Sequence, residues 1–180
     1  MPVDMKVLIA ETLGKLVQKG NIDKITVKAL IEECHISRQT FYYHFQDIMD
    51  VVEWSVRRQT RHLLEQSLAE KDLCSALRIF IAFTVQQFPL LEKLMNSQRR
   101  PMFEKLMTSS LETYLTELMQ YHRQDVSVNR MDRDVLLRYN VCGLAGTLIA
   151  FCGQPDLDQD RLALQLERIL SGELSEWLKN

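Results

Sequence analysis

Three residues suited to starting a helix stand in quick succession, Thr26, Ser37 and Asp47, and little chain separates the segments they open. A Thr, Ser or Asp side chain just before a helix accepts a hydrogen bond from a backbone amide that the first turn leaves without a partner. After Thr26, the residues Val27, Leu30, Ile31 and Cys34 share one helical face. Only His35-Ile36 then precedes Ser37, and the helix that Ser37 opens is brief, running to about His44. Asp47 is placed to cap a fourth helix, from about Ile48 toward Ala69. Two short helices joined by so tight a turn have the pattern of a helix-turn-helix. That pairing constrains the fold more than any bulk property of the chain.

The flanking sequence is helical as well. Residues 5–17 set Met5, Leu8, Ile9, Leu13, Leu16 and Val17 at helical spacing, and Gly20-Asn21 is expected to end that helix, both residues being tolerant of a left-handed conformation. Asp72 to Phe88 is apolar around much of its circumference, as in a helix inside a bundle, and Pro89 is expected to break it or start a new turn. Pro101 opens a long helix, residues 125–129 read as a loop, and a further helix runs from about Asp132 to Phe151. Residues 158–170 form another, with Leu162, Leu166, Ile169 and Leu170 on one stripe that Leu174, Trp177 and Leu178 extend. With only 6 Gly and 4 Pro among 180 residues, long loops should be few. The expected fold is all-α: a three-helix helix-turn-helix domain over residues 1–50, joined to a C-terminal helical bundle over 51–180.

The third helix carries the chemistry. Ile36, Phe41 and Phe45 are placed to pack against the first two helices, which leaves Arg38, Gln39, Thr40, Tyr42, Tyr43 and His44 outside. That surface holds donors, aromatic rings and one fixed charge but no carboxylate, as a helix facing phosphate needs. Arg reads guanine O6 and N7, and Gln reads adenine N6 and N7. Both sit in the first turn, where a recognition helix meets base edges. Tyr hydroxyls and capped helix starts, that of Ser37 included, suit phosphate oxygens. Thr26 and Lys28 are expected to grip the backbone from the second helix. Charge gives little help: the chain has a net charge of -2. Residues 1–62 hold 9 Lys and Arg against 8 Asp and Glu, a net of +1. Modest non-specific affinity and a shallow salt dependence are therefore expected.

The run Ile-Ser-Arg-Gln-Thr-Phe-Tyr-Tyr-His-Phe at 36–45, preceded by Ile25-Thr26-Val27-x-x-Leu30 and followed by a helix start at Asp47, resembles the DNA-binding domain of the TetR family of bacterial regulators. The similarity covers about residues 5–54. Within the family, residues 41–54 resemble the branch linked to dihydroxyacetone kinase operons, chiefly through Trp54. Three positions depart from the pattern. His35 stands where the family usually has Gly, Ile48 where a phosphate-binding Lys is common, and Lys6 alone where many relatives carry more basic residues. The resemblance implies a homodimeric repressor on double-stranded DNA with a near-palindromic operator. Its second domain would bind a small-molecule effector and change the spacing of the two heads.

Candidates for that effector site are Phe83, Gln87, Met107, Tyr114 and Tyr139, since a pocket needs a few placed polar groups in an apolar wall. Gly143 and Gly146, three apart in one helix, let another helix approach closely, at about 1 kcal/mol each relative to Ala. They are read as the dimer contact, with Leu162, Leu166 and Ile169 beside them; packing within the chain is the alternative. Cys34, Cys74, Cys142 and Cys152 form no CxxC pair and read as buried, reduced thiols. No phosphate loop, GxSxG or HExxH occurs, and the four His are scattered at 35, 44, 62 and 122. Hence no enzyme, cofactor or metal is expected. No apolar run reaches the roughly 18 residues that cross a bilayer, and Met1-Pro2-Val3-Asp4 lacks the marks of a signal peptide. A cytoplasmic protein without a membrane partner is expected. The alternative function is a protein-interaction co-regulator with weak or lost DNA binding.

Overall fold

The computed structural model describes residues 4–122 and 130–172. The loop expected at 125–129 and the stripe residues Leu174, Trp177 and Leu178 lie outside the described residues. Among the described residues every regular element is helical, so the fold is all-α. Packing divides the chain into two compact units. One takes in residues up to Gln59 together with Pro89–Met107; the other takes in Thr60–Phe88 and the chain from Thr108 onward. The division expected after residue 50 was a single cut by function, whereas division by packing returns residues 89–107 to the first unit.

In the first unit, α1 (Met5–Lys19) is capped by the Asp4 carboxylate, which accepts from the amide of Lys6 at 3.0 Å. Ile9, Leu13 and Val17, four residues apart, are buried on its inner face. It ends at Gly20, where expected. Gly20 and Asn21 are both extended rather than left-handed. Asn21 instead caps a single 3-10 turn, Ile22–Lys24, by accepting from Asp23 N at 2.8 Å. Thr26 starts α2 (Val27–Cys34) by accepting from Ala29 N at 3.1 Å. Ser37 starts α3 (Arg38–His44) by accepting from Thr40 N at 3.0 Å. Asp47 accepts from Asp50 N at 2.9 Å at the head of α4 (Ile48–Leu68). The three expected caps thus start the three expected helices.

Between α2 and α3, His35 is left-handed, with φ 54 and ψ 42. It is the only non-glycine with positive φ among the described residues. The conformation is stressed for a residue with a Cβ, by about 1–2 kcal/mol. Glycine would relieve the stress but lose about 0.5–1 kcal/mol to its freer unfolded chain. His35→Gly is therefore expected to raise stability by up to about 1 kcal/mol in urea unfolding. A clear loss would show that the imidazole makes a stabilising contact.

Leu30, Phe41, Phe45, Ile48, Val51 and Val52 fill the core of this unit with the inner face of α1, and Leu94 and Phe103 join them. The Lys93 ammonium donates to the last-turn carbonyls of α1, Val17 O at 3.1 Å and Gln18 O. Asp23 accepts from the Gln98 amide at 3.0 Å. Hydrogen bonds as well as apolar contact therefore tie residues 89–107 into this unit.

α5 (Leu73–Met95) runs through Pro89 without a break, contrary to expectation. Proline removes one helical hydrogen bond and crowds the preceding turn. Phe80 and Ile81 before it and Leu94 after it are each buried in a core, so packing holds both flanks helical. α6 (Arg100–His122), α7 (Arg130–Phe151) and α8 (Gln159–Ser171) complete the chain. α8 is capped at its start by Asp158 and ends on left-handed Gly172.

The core of the second unit gathers Leu64, Leu77, Ile81, Leu115, Leu118, Leu144, Leu148 and Leu166. Tyr114 lies within it, stacked on Phe80 at 4.7 Å, its hydroxyl 2.8 Å from Ser67 Oγ. A Cβ at Gly153 would stand 2.3 Å from the Phe88 ring, so a larger residue there would require that ring to shift. Two helices, Leu73–Met95 and Met131–Phe151, are long and apolar enough to cross a membrane by length and composition alone. Polar residues interrupt both, so neither is one continuous apolar run.

Candidate nucleic-acid interface

α3 has seven residues and two sides of different character. Phe41 and Phe45 are fully buried, their rings 6.2 Å apart, and Trp54 of α4 meets Phe45 edge-on at 5.9 Å. The Lys6 ammonium covers the Phe45 ring at 5.3 Å. An isolated helix of two turns does not persist in water, so these contacts hold α3 in place. Ile48 is 3% exposed in the same core. The position where the resemblance implied a phosphate-binding Lys is therefore used here for packing.

On the outer side Arg38, Gln39, Tyr42 and Tyr43 are exposed. The two tyrosines differ: Tyr43 is 84% exposed and Tyr42 48%. The Arg38 guanidinium lies over the Tyr42 ring, 5.5 Å from its centroid. Thr40 and His44, expected on the same open surface, are only half-exposed. The Thr40 hydroxyl is hydrogen-bonded to Ser37 Oγ at 2.8 Å, and the His44 ring meets Tyr43 edge-on at 4.9 Å. Ser37 and Thr40 therefore shape the start of the helix. From α2, Thr26 is exposed while it caps, and Lys28 extends into solvent with its ammonium 3.9 Å from Glu32. An exposed pair of this kind contributes no more than about 0.5 kcal/mol, so a phosphate would readily displace Glu32.

The five effector-site candidates are not gathered into one place. Met107 packs on the core of the first unit, while Phe83 packs on that of the second and Tyr114 is buried in it. Gln87 is half-buried, and Tyr139 is 69% exposed on α7. Helical spacing marked Tyr139 as apolar but could not tell an inner from an outer face. Burial pushes the Tyr114 hydroxyl up to about 12, against the lowering effect of its bond to Ser67. It is a neutral hydroxyl at physiological pH.

The dimer candidates separate in a similar way. Leu162 and Leu166 are 6% and 3% exposed in the core of their own unit, and so are not available to a partner. Ile169 is half-buried. Gly143 and Gly146 are exposed, and a Cβ on either would meet nothing within 4 Å. Nothing among the described residues therefore requires glycine there. Around them α7 exposes Val135, Tyr139, Ile149 and Phe151, and α8 exposes Leu164, a residue the stripe reading missed because it lies off the 162–166–169 line. Cys142 is exposed on α7, contrary to the expectation for all four cysteines. Cys34, Cys74 and Cys152 are buried, and burial raises each thiol, Cys152 to about 11.

No family model and no curated protein matches the sequence. Solved structures do. The dihydroxyacetone kinase operon activator DhaS aligns with a TM-score of 0.73 at 16% identity, over 96% of this chain and 97% of that one. A TetR transcriptional regulator from Streptococcus agalactiae 2603V aligns at 0.68 and 20% identity, over 92% of each chain. The fatty acid degradation regulator FadR from Bacillus halodurans aligns at 0.58 and 13% identity, over 94% of this chain and 96% of that one. From the helix-turn-helix to the last described helix, the chain has the fold of the TetR-type transcriptional regulators.

Proposed function

We propose that the protein is a homodimeric DNA-binding transcriptional regulator, a repressor released by a small-molecule effector. The observation that carries this reading is the two-sided α3. Its inner rings are buried, and its outer side presents Arg38, Gln39, Tyr42 and Tyr43 with no carboxylate on the helix. A helix fits the major groove of B-DNA, where Arg and Gln find bidentate partners on guanine and adenine. Thr26, Lys28, Ser37, Tyr43 and His44 complete the proposed contact surface, chiefly toward phosphates.

Dimerisation is supported by the exposed glycines of α7. Two mid-helix glycines each cost about 1 kcal/mol relative to Ala, and no contact among the described residues explains them. A second copy crossing at Gly143 and Gly146 does. Two heads related by a two-fold axis would read half-sites about one helical turn apart or a multiple of it. The effector site is proposed in the second unit, whose core takes in Tyr114 with Phe83 packed against it. Repression and effector release come from the resemblance in residues 25–54.

Arg38→Ala is expected to cost about 1–3 kcal/mol in operator binding and to relax the preference at one base pair per half-site. Binding-site selection from a random duplex pool reads both effects, and an unchanged preference refutes the base-reading role. Tyr42→Phe is expected to weaken binding about equally on all sequences, because phosphate contacts carry no base information.

A further inference from the structure

We infer that the ring of Tyr42 is a positioning and specificity-determining element, which holds the Arg38 guanidinium over itself and so sets which base pair Arg38 reads. The inference rests on the DNA-binding reading above and goes beyond it. Arg38 and Tyr42 are four apart on α3, so their side chains lie along the same face of the helix. The guanidinium carbon stands 5.5 Å from the centroid of the ring. The ring is itself held: it meets Phe41 edge-on, with centroids 5.4 Å apart and planes at 87°, and Phe41 is fully buried. A line of contact thus runs from the core through Tyr42 to the one fixed positive charge of the helix.

Arg38 has no ion pair among the described residues, so the ring is the contact found to restrain it. A free arginine samples many rotamers, and order must be imposed before a planar fork can match O6 and N7 of one guanine. Stacking on an aromatic face supplies that order while leaving the N–H edge of the guanidinium open. The neighbouring Tyr43 is far more exposed and meets His44 edge-on.

The test uses the full-length protein and a random duplex DNA pool, with wild type, Tyr42→Leu, Tyr42→Phe and Arg38→Ala selected in parallel. Leucine is a better helix former than tyrosine, so α3 keeps its propensity, and thermal melting of each variant confirms folding. Tyr42→Leu is expected to reduce discrimination about 2- to 5-fold at the base pair that Arg38→Ala flattens, and not elsewhere. Tyr42→Phe keeps the ring and is expected to restore that discrimination while binding all sequences less tightly. Adding Tyr42→Leu to Arg38→Ala should change the preference no further. A wild-type protein that selects no site overturns both this inference and the DNA-binding reading. A wild type that selects a site, with Tyr42→Leu keeping the full preference, overturns this inference alone. So does a Tyr42→Phe variant as flattened as Tyr42→Leu, which would assign the effect to the hydroxyl.

Discussion

Phe41→Ala is expected to destabilise the first unit by about 3–5 kcal/mol, the usual range for emptying a fully buried phenyl site. Phe41 is 0% exposed and touches both Phe45 and Tyr42. The site has little room to collapse, because Phe45 is itself pinned between Trp54 and the Lys6 ammonium. Whole domains are stable by only about 5–15 kcal/mol, so this change removes a large share. The seven-residue α3 has no stability of its own to fall back on. Urea unfolding followed by Trp54 fluorescence, with Trp177 replaced by Phe, reads this unit selectively, because Trp54 stands 5.9 Å from Phe45. A loss below about 1 kcal/mol would show that α3 is held by something other than its aromatic side.

If the proposed dimer forms through α7, Gly143→Leu is expected to convert it to monomer without harming the fold of the chain. A Cβ at Gly143 meets nothing within 4 Å, and leucine is the better helix former by nearly 1 kcal/mol. The monomer should therefore unfold no more easily than wild type. The dimer should suffer, since filling a close helix crossing costs about 1–3 kcal/mol, and a two-fold contact meets the change twice. Association weakened by about 10-fold or more in sedimentation equilibrium is the predicted result. An unchanged dimer would place the interface elsewhere, and a destabilised monomer would show that the glycine serves packing within the chain.

The head was legible in the sequence because local chemistry decides it. Thr26, Ser37 and Asp47 each cap the helix expected of them, and His35 takes the left-handed turn its position implied. Phe41 is buried on the inner side of α3, and Phe45, the extended residue that ends it, is buried beside it. What was not legible depends on which surface covers which. Leu162 and Leu166 form an apolar stripe whether the covering helix is the chain's own or a partner's; the fold buries them internally and leaves Leu164 outside. Tyr139 and Cys142 were assigned inside by residue type, yet both lie on the outer side of α7. Pro89 reads as a breaker from its own chemistry, whereas buried neighbours on both sides keep α5 continuous. Gly20 and Asn21 sat at the right place for a stop, but Asn21 works through its side chain rather than through a left-handed backbone.

Few phosphate contacts are offered by this head: Ile48 is buried, and residues 1–62 carry a net charge of only +1. Recognition must then rest on the fit of α3, capped helix starts and two-fold symmetry more than on charge. The most direct test is retention of the wild-type protein on random-sequence duplex DNA across a salt series, followed by sequencing of what is retained. Retention at low salt with a shallow salt dependence, and enrichment of two-fold-related half-sites, is the predicted result. No retention at the lowest salt would contradict it and leave the protein-interaction reading in its place.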